Sequence, residues 1–307
     1  MKVNAAKQFI LHNARPLDLA VYKYFFEDGP KQRVIEELSK FQNEDGGFGN
    51  GLEPDYLNPN SSPIATNDAI ITLYRTDALK CDSDIIKGIV RYLKSHDSFD
   101  KDKKRWLFAI DSNKDYPHAI WWEKNGDGIS GFNPTISLAA FMYCYGERTM
   151  LYENIIREGI QYLADNKIDN GDEIKCYLLA YELLKSHKIY GIINFNVFKD
   201  LISKKIYEVI CKDINKYGIE YVPVPSDFFA GNYLEFITAE LEQLIQAEKE
   251  ILGKLQKDDG GFEITWKWHT PYSEFEQARN YWRPRLTIDK LLFYERNQGN
   301  LSTIQDK

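Results

Sequence analysis

Apolar residues recur at three- and four-residue steps through most of the chain. The pattern is clear over 31–42 (KQRVIEELSKFQ), 84–95 (DIIKGIVRYLKS), 151–165, 172–187 and 196–213, and it is the spacing of one helix face. In 151–165, Leu151, Ile155, Ile156, Ile160 and Leu163 share such a face. A further long helix is expected over 234–256. Strand-like alternation is scarce. The segment 219–224 (IEYVPV) shows it, but Pro223 and Pro225 argue against a strand there. The pattern predicts an all-α fold.

The helices are organised by a repeat. Residues 38–48 read LSKFQNEDGGF and residues 252–262 read LGKLQKDDGGF. Each copy ends a helix with Gln, two spacers and Asp-Gly-Gly-Phe. Pro63-x-x-Thr66-x-Asp68 and Pro284-x-x-Thr287-x-Asp289 follow, and Pro suits the first turn of a helix because its missing N–H has no partner there. A degenerate third copy is expected at Gly131-Phe132-Asn133-Pro134-Thr135, before the apolar run 136–145. Gly-Gly permits a positive-φ helix end, Asp45 and Asp259 can accept turn amides, and Gln42 and Gln256 can satisfy final carbonyls. Helical hairpins that cannot each bury an apolar face must stack, in an open solenoid or a closed ring.

These Gln-x-x-Asp-Gly-Gly-Phe units resemble the repeat of squalene/terpene cyclases and protein prenyltransferase β-subunits. The run Gly-Gly-Phe-Gly-x-x-Leu-Glu-Pro-Asp at 46–55, the Trp-Trp pair at 121–122 with Asn-Pro-Thr at 133–135, and Asp-Gly-Gly-Phe with Trp-x-Trp at 259–268 are similar to a bacterial prenyltransferase-like group. The resemblance implies an α/α toroid, a single domain over 1–307 with N-terminal helices in 1–30, and a central cavity. A flexible tail is expected over 298–307. The chemistry of those families does not carry over: Asp-x-Asp-Asp, Asp-Asp-x-x-Asp and the Asp-x-Cys zinc motif are all missing. Asp82-Ser83-Asp84 sits where carboxylates cap a helix start.

Composition narrows the function. With 39 Lys+Arg against 46 Asp+Glu the chain carries −7, which suits nucleic acid poorly. No apolar run approaches a membrane span or a signal-peptide core, so a soluble, cytoplasmic protein without stable membrane insertion is expected. Cys81, Cys144, Cys176 and Cys211 are far apart and read as reduced thiols. No cofactor and no metal site is expected.

Aromatic residues make up 14% of the chain, including 6 Trp. All six Trp fall in two of the three loops 49–62, 106–133 and 263–283, which the repeat brings to one end. Long loops on a rigid scaffold are where sites are built. Asp55, Glu53 and Glu123 are the candidate catalytic acids. Trp121, Trp122, His118, Asn133, Trp266, Trp268, Glu274, Trp282 and Arg283 are the candidate substrate contacts. Arg283 and Arg285 can bind a diphosphate or bridge loop carboxylates. Aromatic faces and a raised-pKa acid suit carbocation chemistry on an isoprenoid or similar apolar substrate. Trp platforms with paired carboxylates suit a glycan, bound or hydrolysed. A non-catalytic binding module is the third alternative.

Overall fold

The computed structural model describes residues 1–81 and 83–296, the backbone alone at Arg296; the expected tail over 298–307 lies outside them. Eleven α-helices are described: α1 (Val3–Asn13), α2 (Pro16–Phe26), α3 (Lys31–Ser39), α4 (Pro63–Arg75), α5 (Asp84–Ser95), α6 (Thr135–Tyr145), α7 (Met150–Asp165), α8 (Gly171–Ser186), α9 (Phe195–Val209), α10 (Ala239–Leu255) and α11 (Phe275–Arg296). The fold is all-α. The described strands are the two-residue antiparallel pair β1 (Phe99–Asp100) and β2 (Arg105–Trp106). Residues 219–224 form no strand, as the two prolines require. No helix among the described residues is long and apolar enough to cross a membrane.

Helix starts follow local chemistry. Ser62, Thr149, Asn170, Asn194 and Thr238 each accept a first-turn N–H at the starts of α4, α7, α8, α9 and α10. The start of α5 differs. Ser83 stands at the cap position but its side chain caps nothing, and Asp82 lies outside the described residues. The largest departure concerns Pro284. It does not begin a helix; α11 starts at Phe275 and runs through it. The last loop is therefore 263–274, and Trp282 and Arg283 are helical.

Packing separates two kinds of helix. In α6 every residue from Thr135 to Met142 is buried, and α6 packs on α4, α5, α7 and α8. Helices α5 and α7 bury one face only. The first helix packs on the last, α1 against α11, and α11 also contacts α2.

Both Asp-Gly-Gly-Phe turns have the same wiring. Gln42 Nε2 donates to the carbonyls of Gly46 and Ile85, and Gln256 Nε2 to those of Gly260 and Lys2. Asp45 accepts the Gly47 N–H and Asp259 the Gly261 N–H. Phe48 N–H reaches Thr66 Oγ1 at 3.2 Å and Phe262 N–H reaches Thr287 Oγ1 at 3.0 Å. Helix α1 thus serves the second turn as α5 serves the first. A third turn shares the last bond: Trp106 N–H donates to Thr135 Oγ1 at 2.9 Å. Trp106, not Phe132, is the third counterpart of Phe48, and the β1–β2 hairpin replaces the Gly-Gly turn. The Phe132 N–H goes instead to Glu173.

Gly46 and Gly260 have φ of +96° and +92°, and an added Cβ would lie 2.1 Å from the Gly88 carbonyl oxygen or 2.2 Å from that of Ala5. Backbone on both sides cannot yield cheaply. Gly46→Ala and Gly260→Ala are each expected to cost about 3 kcal/mol in urea denaturation. Gly191→Ala, whose Cβ meets nothing within 4 Å, should stay within about 0.5 kcal/mol of the parent.

Candidate functional site

The three loops meet at one knot. Backbone bonds join them: Ala119 N–H to Asp55 O at 3.0 Å, Leu57 N–H to Pro117 O at 3.0 Å, and Ile120 N–H to Trp268 O at 2.9 Å. Thr270 Oγ1 donates to His118 O at 3.0 Å. At the centre is the carboxylate of Asp55, 2% exposed. Its Oδ1 accepts the indole N–H of Trp268 at 2.5 Å and its Oδ2 that of Trp266 at 2.9 Å. Trp282 N–H, buried without a full hydrogen bond, also points charge toward it.

Burial raises the Asp55 carboxyl to about 6, against the pull of the Trp268, Trp266 and Trp282 N–H groups and of Arg285. Its pKa in the folded protein thus lies above the ordinary 3.8. The folded state then binds more proton between these values, so the Asp55 contribution to stability is full below about pH 4 and is lost as pH rises through about 6. Relative to Asp55→Asn, which cannot titrate, the wild type should gain stability between pH 7 and pH 4.5 in paired urea melts. A constant difference would contradict the raised value.

Two residues earlier, Glu53 is half-buried. Burial pushes its carboxyl well above the ordinary range, and the charges of Asp55, Asp68 and Asp172 add to this while Arg285 opposes it. Among the described residues no hydrogen bond or ion pair reaches that carboxyl. The groups around it come from several elements. Arg285 of α11 pairs with both oxygens of Asp68 of α4, one at 3.0 Å, and its guanidinium lies 5.0 Å from the Trp282 ring centre. Reciprocally, Arg75 of α4 pairs with Asp289 of α11 at 2.5 Å. Asp172, in the first turn of α8, bonds Lys175 at 2.9 Å. That cation, with help from Tyr221, holds the Asp172 carboxyl below the usual range although burial opposes it.

Asp172 keeps 53% of its side chain exposed and Tyr221 keeps 66% exposed, yet burial acts on both, opposing the pull of Lys175 at Asp172 and adding to the push of Asp172 at Tyr221. A side chain that meets solvent while surrounded by protein lines a depression. The Tyr221 ring stands edge-on to Trp266 at 5.5 Å. The depression therefore combines a partnerless acid, an ionised acid and an aromatic pair. Below it, between α2, α4 and α11, a space of about 30 Å³ is lined by Leu17, Val21, Ile71, Arg75 and Ile288, room for about one water.

The remaining sequence candidates spread out. Trp121 is exposed and Trp122 buried against Tyr56 and Phe108. Glu123 is exposed and lies outside the depression's charge network. Glu274 is half-buried and accepts from its neighbour Ser273. His118 donates through Nδ1 to Tyr116 O at 2.6 Å and leaves Nε2 unpartnered. Asn133 is buried, accepting from Cys176 Sγ. Arg283 bridges Asp259 and Glu263, the bridging alternative. Asp172, Lys175 and Tyr221 are not among the candidates that the sequence pattern offers. Asp172 follows Asn170-Gly171 at a helix start, a signal available but hidden by the short loop before it. No group of three or more His, Cys, Asp and Glu among the described residues is placed to hold a metal.

No family model matches the chain, and neither the curated proteins nor the solved structures contain a match.

Proposed function

We propose that this protein is an α/α toroid that hydrolyses glycosidic bonds in the depression around Glu53. The ring reading is supported by the α1–α11 contact and by α1 standing to the second repeat turn as α5 stands to the first. Helices α2, α4, α6, α8 and α11 would form the inner layer, with the irregular segment 224–230 in the remaining gap.

The observation that carries the chemistry is the Glu53 carboxyl, raised and without a partner, beside an Asp172 carboxylate held ionised by Lys175. Environments that push two carboxyl groups apart in pKa separate an acid from a base. Glu53 would give its proton to the glycosidic oxygen as the C–O bond breaks. Asp172 would take a proton from the attacking water, whose oxygen forms the new bond to the sugar. Tyr221 and Trp266 would provide the stacking wall. Asp55 serves as the acceptor that positions the indoles, since both its oxygens are committed to N–H donors.

An isoprenoid fits this wall less well. Seating an apolar chain would strip water from Asp172, Lys175, Asp68 and Arg285 without replacing it. Incubation with a panel of oligosaccharides and with prenyl diphosphates, followed by product analysis, separates the readings. Shortened glycans are expected; turnover confined to the prenyl substrates would overturn the proposal.

A further inference from the structure

The charges around the depression do not balance. Each cation there already has a carboxylate: Arg285 has Asp68, Lys175 has Asp172, Lys290 has Glu248 at 2.7 Å, and Arg15 has Asp18 at 2.8 Å. Around the depression three carboxyl groups have no paired cation among the described residues, and Asp55 and Asp227 supply the unbalanced charge because Glu53 serves as the proton donor. Glu53 has no partner. Asp55 is satisfied by neutral indole N–H groups. Asp227 accepts the Val224 N–H at 2.9 Å and feels Lys175 and Lys290 only at a distance. Neutral donors satisfy hydrogen bonding but leave the charge in place.

The leftover charge lies beside aromatic surface. Tyr221 is both close to Asp172 and in contact with Trp266. Carboxylates next to solvent-reaching aromatic rings favour a bound cation, because the ring faces add to the ionic attraction. A neutral sugar gains nothing from that field. An anionic sugar would be repelled by it, and the four nearby cations that could compensate are already paired.

We infer that the glycan taken at this site carries free amino groups, as a polymer of unacetylated hexosamine does. The inference rests on the glycan reading and specifies its substrate class. An ammonium group near Tyr221 would meet the fields of Asp172 and Asp227 together.

The test compares glucosamine oligomers with their N-acetylated forms and with glucose oligomers of equal length, by calorimetry and indole fluorescence on the whole chain. Glucosamine oligomers are expected to bind at least about 10-fold more tightly at low salt. That preference should fade near 1 M salt, where screening reaches about 3 Å. Asp227→Asn, checked for folding by its thermal melt, should narrow the preference several-fold while neutral oligomers bind as before. Equal affinity for all three oligomers, or a preference that ignores salt, overturns the inference and leaves the glycan reading standing. Failure of every oligomer to bind overturns both.

Discussion

Asp55→Ala is expected to lower the free energy of unfolding by about 3 kcal/mol, because it leaves the indole N–H groups of Trp266 and Trp268 without their acceptor. Trp268 is 1% exposed, so water cannot easily take the place of the carboxylate. The loss extends beyond one bond, since Asp55 also sits where the three loops are joined through backbone bonds at Ala119 and Ile120. Asp55→Asn keeps one acceptor oxygen and turns an amide N–H toward the other indole, so about half the loss is expected. Urea denaturation at pH 7 measures both. A loss below about 1 kcal/mol for Asp55→Ala would show that the indoles do not depend on this carboxylate.

Glu53→Gln should have the opposite profile. Its carboxyl has no partner among the described residues and is crowded by Asp55, Asp68 and Asp172. Replacing it with a neutral group of the same shape therefore leaves stability unchanged or slightly higher. Glycan turnover, by contrast, should fall by about 10² to 10⁴, the usual contribution of a positioned general acid. An aryl glycoside whose leaving group needs no protonation should lose far less rate in the same variant. That contrast distinguishes loss of a proton donor from loss of binding. Unchanged turnover of natural oligomers would remove Glu53 from the mechanism.

Much of the fold was legible because helix periodicity is a local signal. The segment 84–95 coincides with α5, and 151–165 falls one residue short of α7. The repeat was legible for the same reason, since Gln, Asp and Gly-Gly act within a few residues of one another. What escaped depends on contacts distant in sequence. Pro284 looked like Pro63 locally, yet α11 continues through it. Trp106 matches Phe48 by a bond to Thr135 that spans 29 residues and has no Gly-Gly to announce it. Asp55 and its Trp partners could be grouped from loop position alone. Asp172 could not, because what marks it is Lys175 one helical turn away and Tyr221 from a distant segment. The cross-links Arg285–Asp68 and Arg75–Asp289 likewise join the two repeat copies through Asp68 and Asp289, whose local sequence marks them only as part of a helix start.

The site itself is tested most directly by the indole N–H resonances of the 6 Trp, assigned by single replacement and followed as a glucosamine oligomer is added. Trp266 borders the depression beside Tyr221, and Trp282 lies against Arg285. Trp106 is fully buried among Phe99, His96 and Tyr152. Saturable shifts at Trp266 and Trp282, with Trp106 unmoved, are the expected result. Shifts at Trp106 with Trp266 silent, or no shift at any indole, would contradict a glycan site at Glu53.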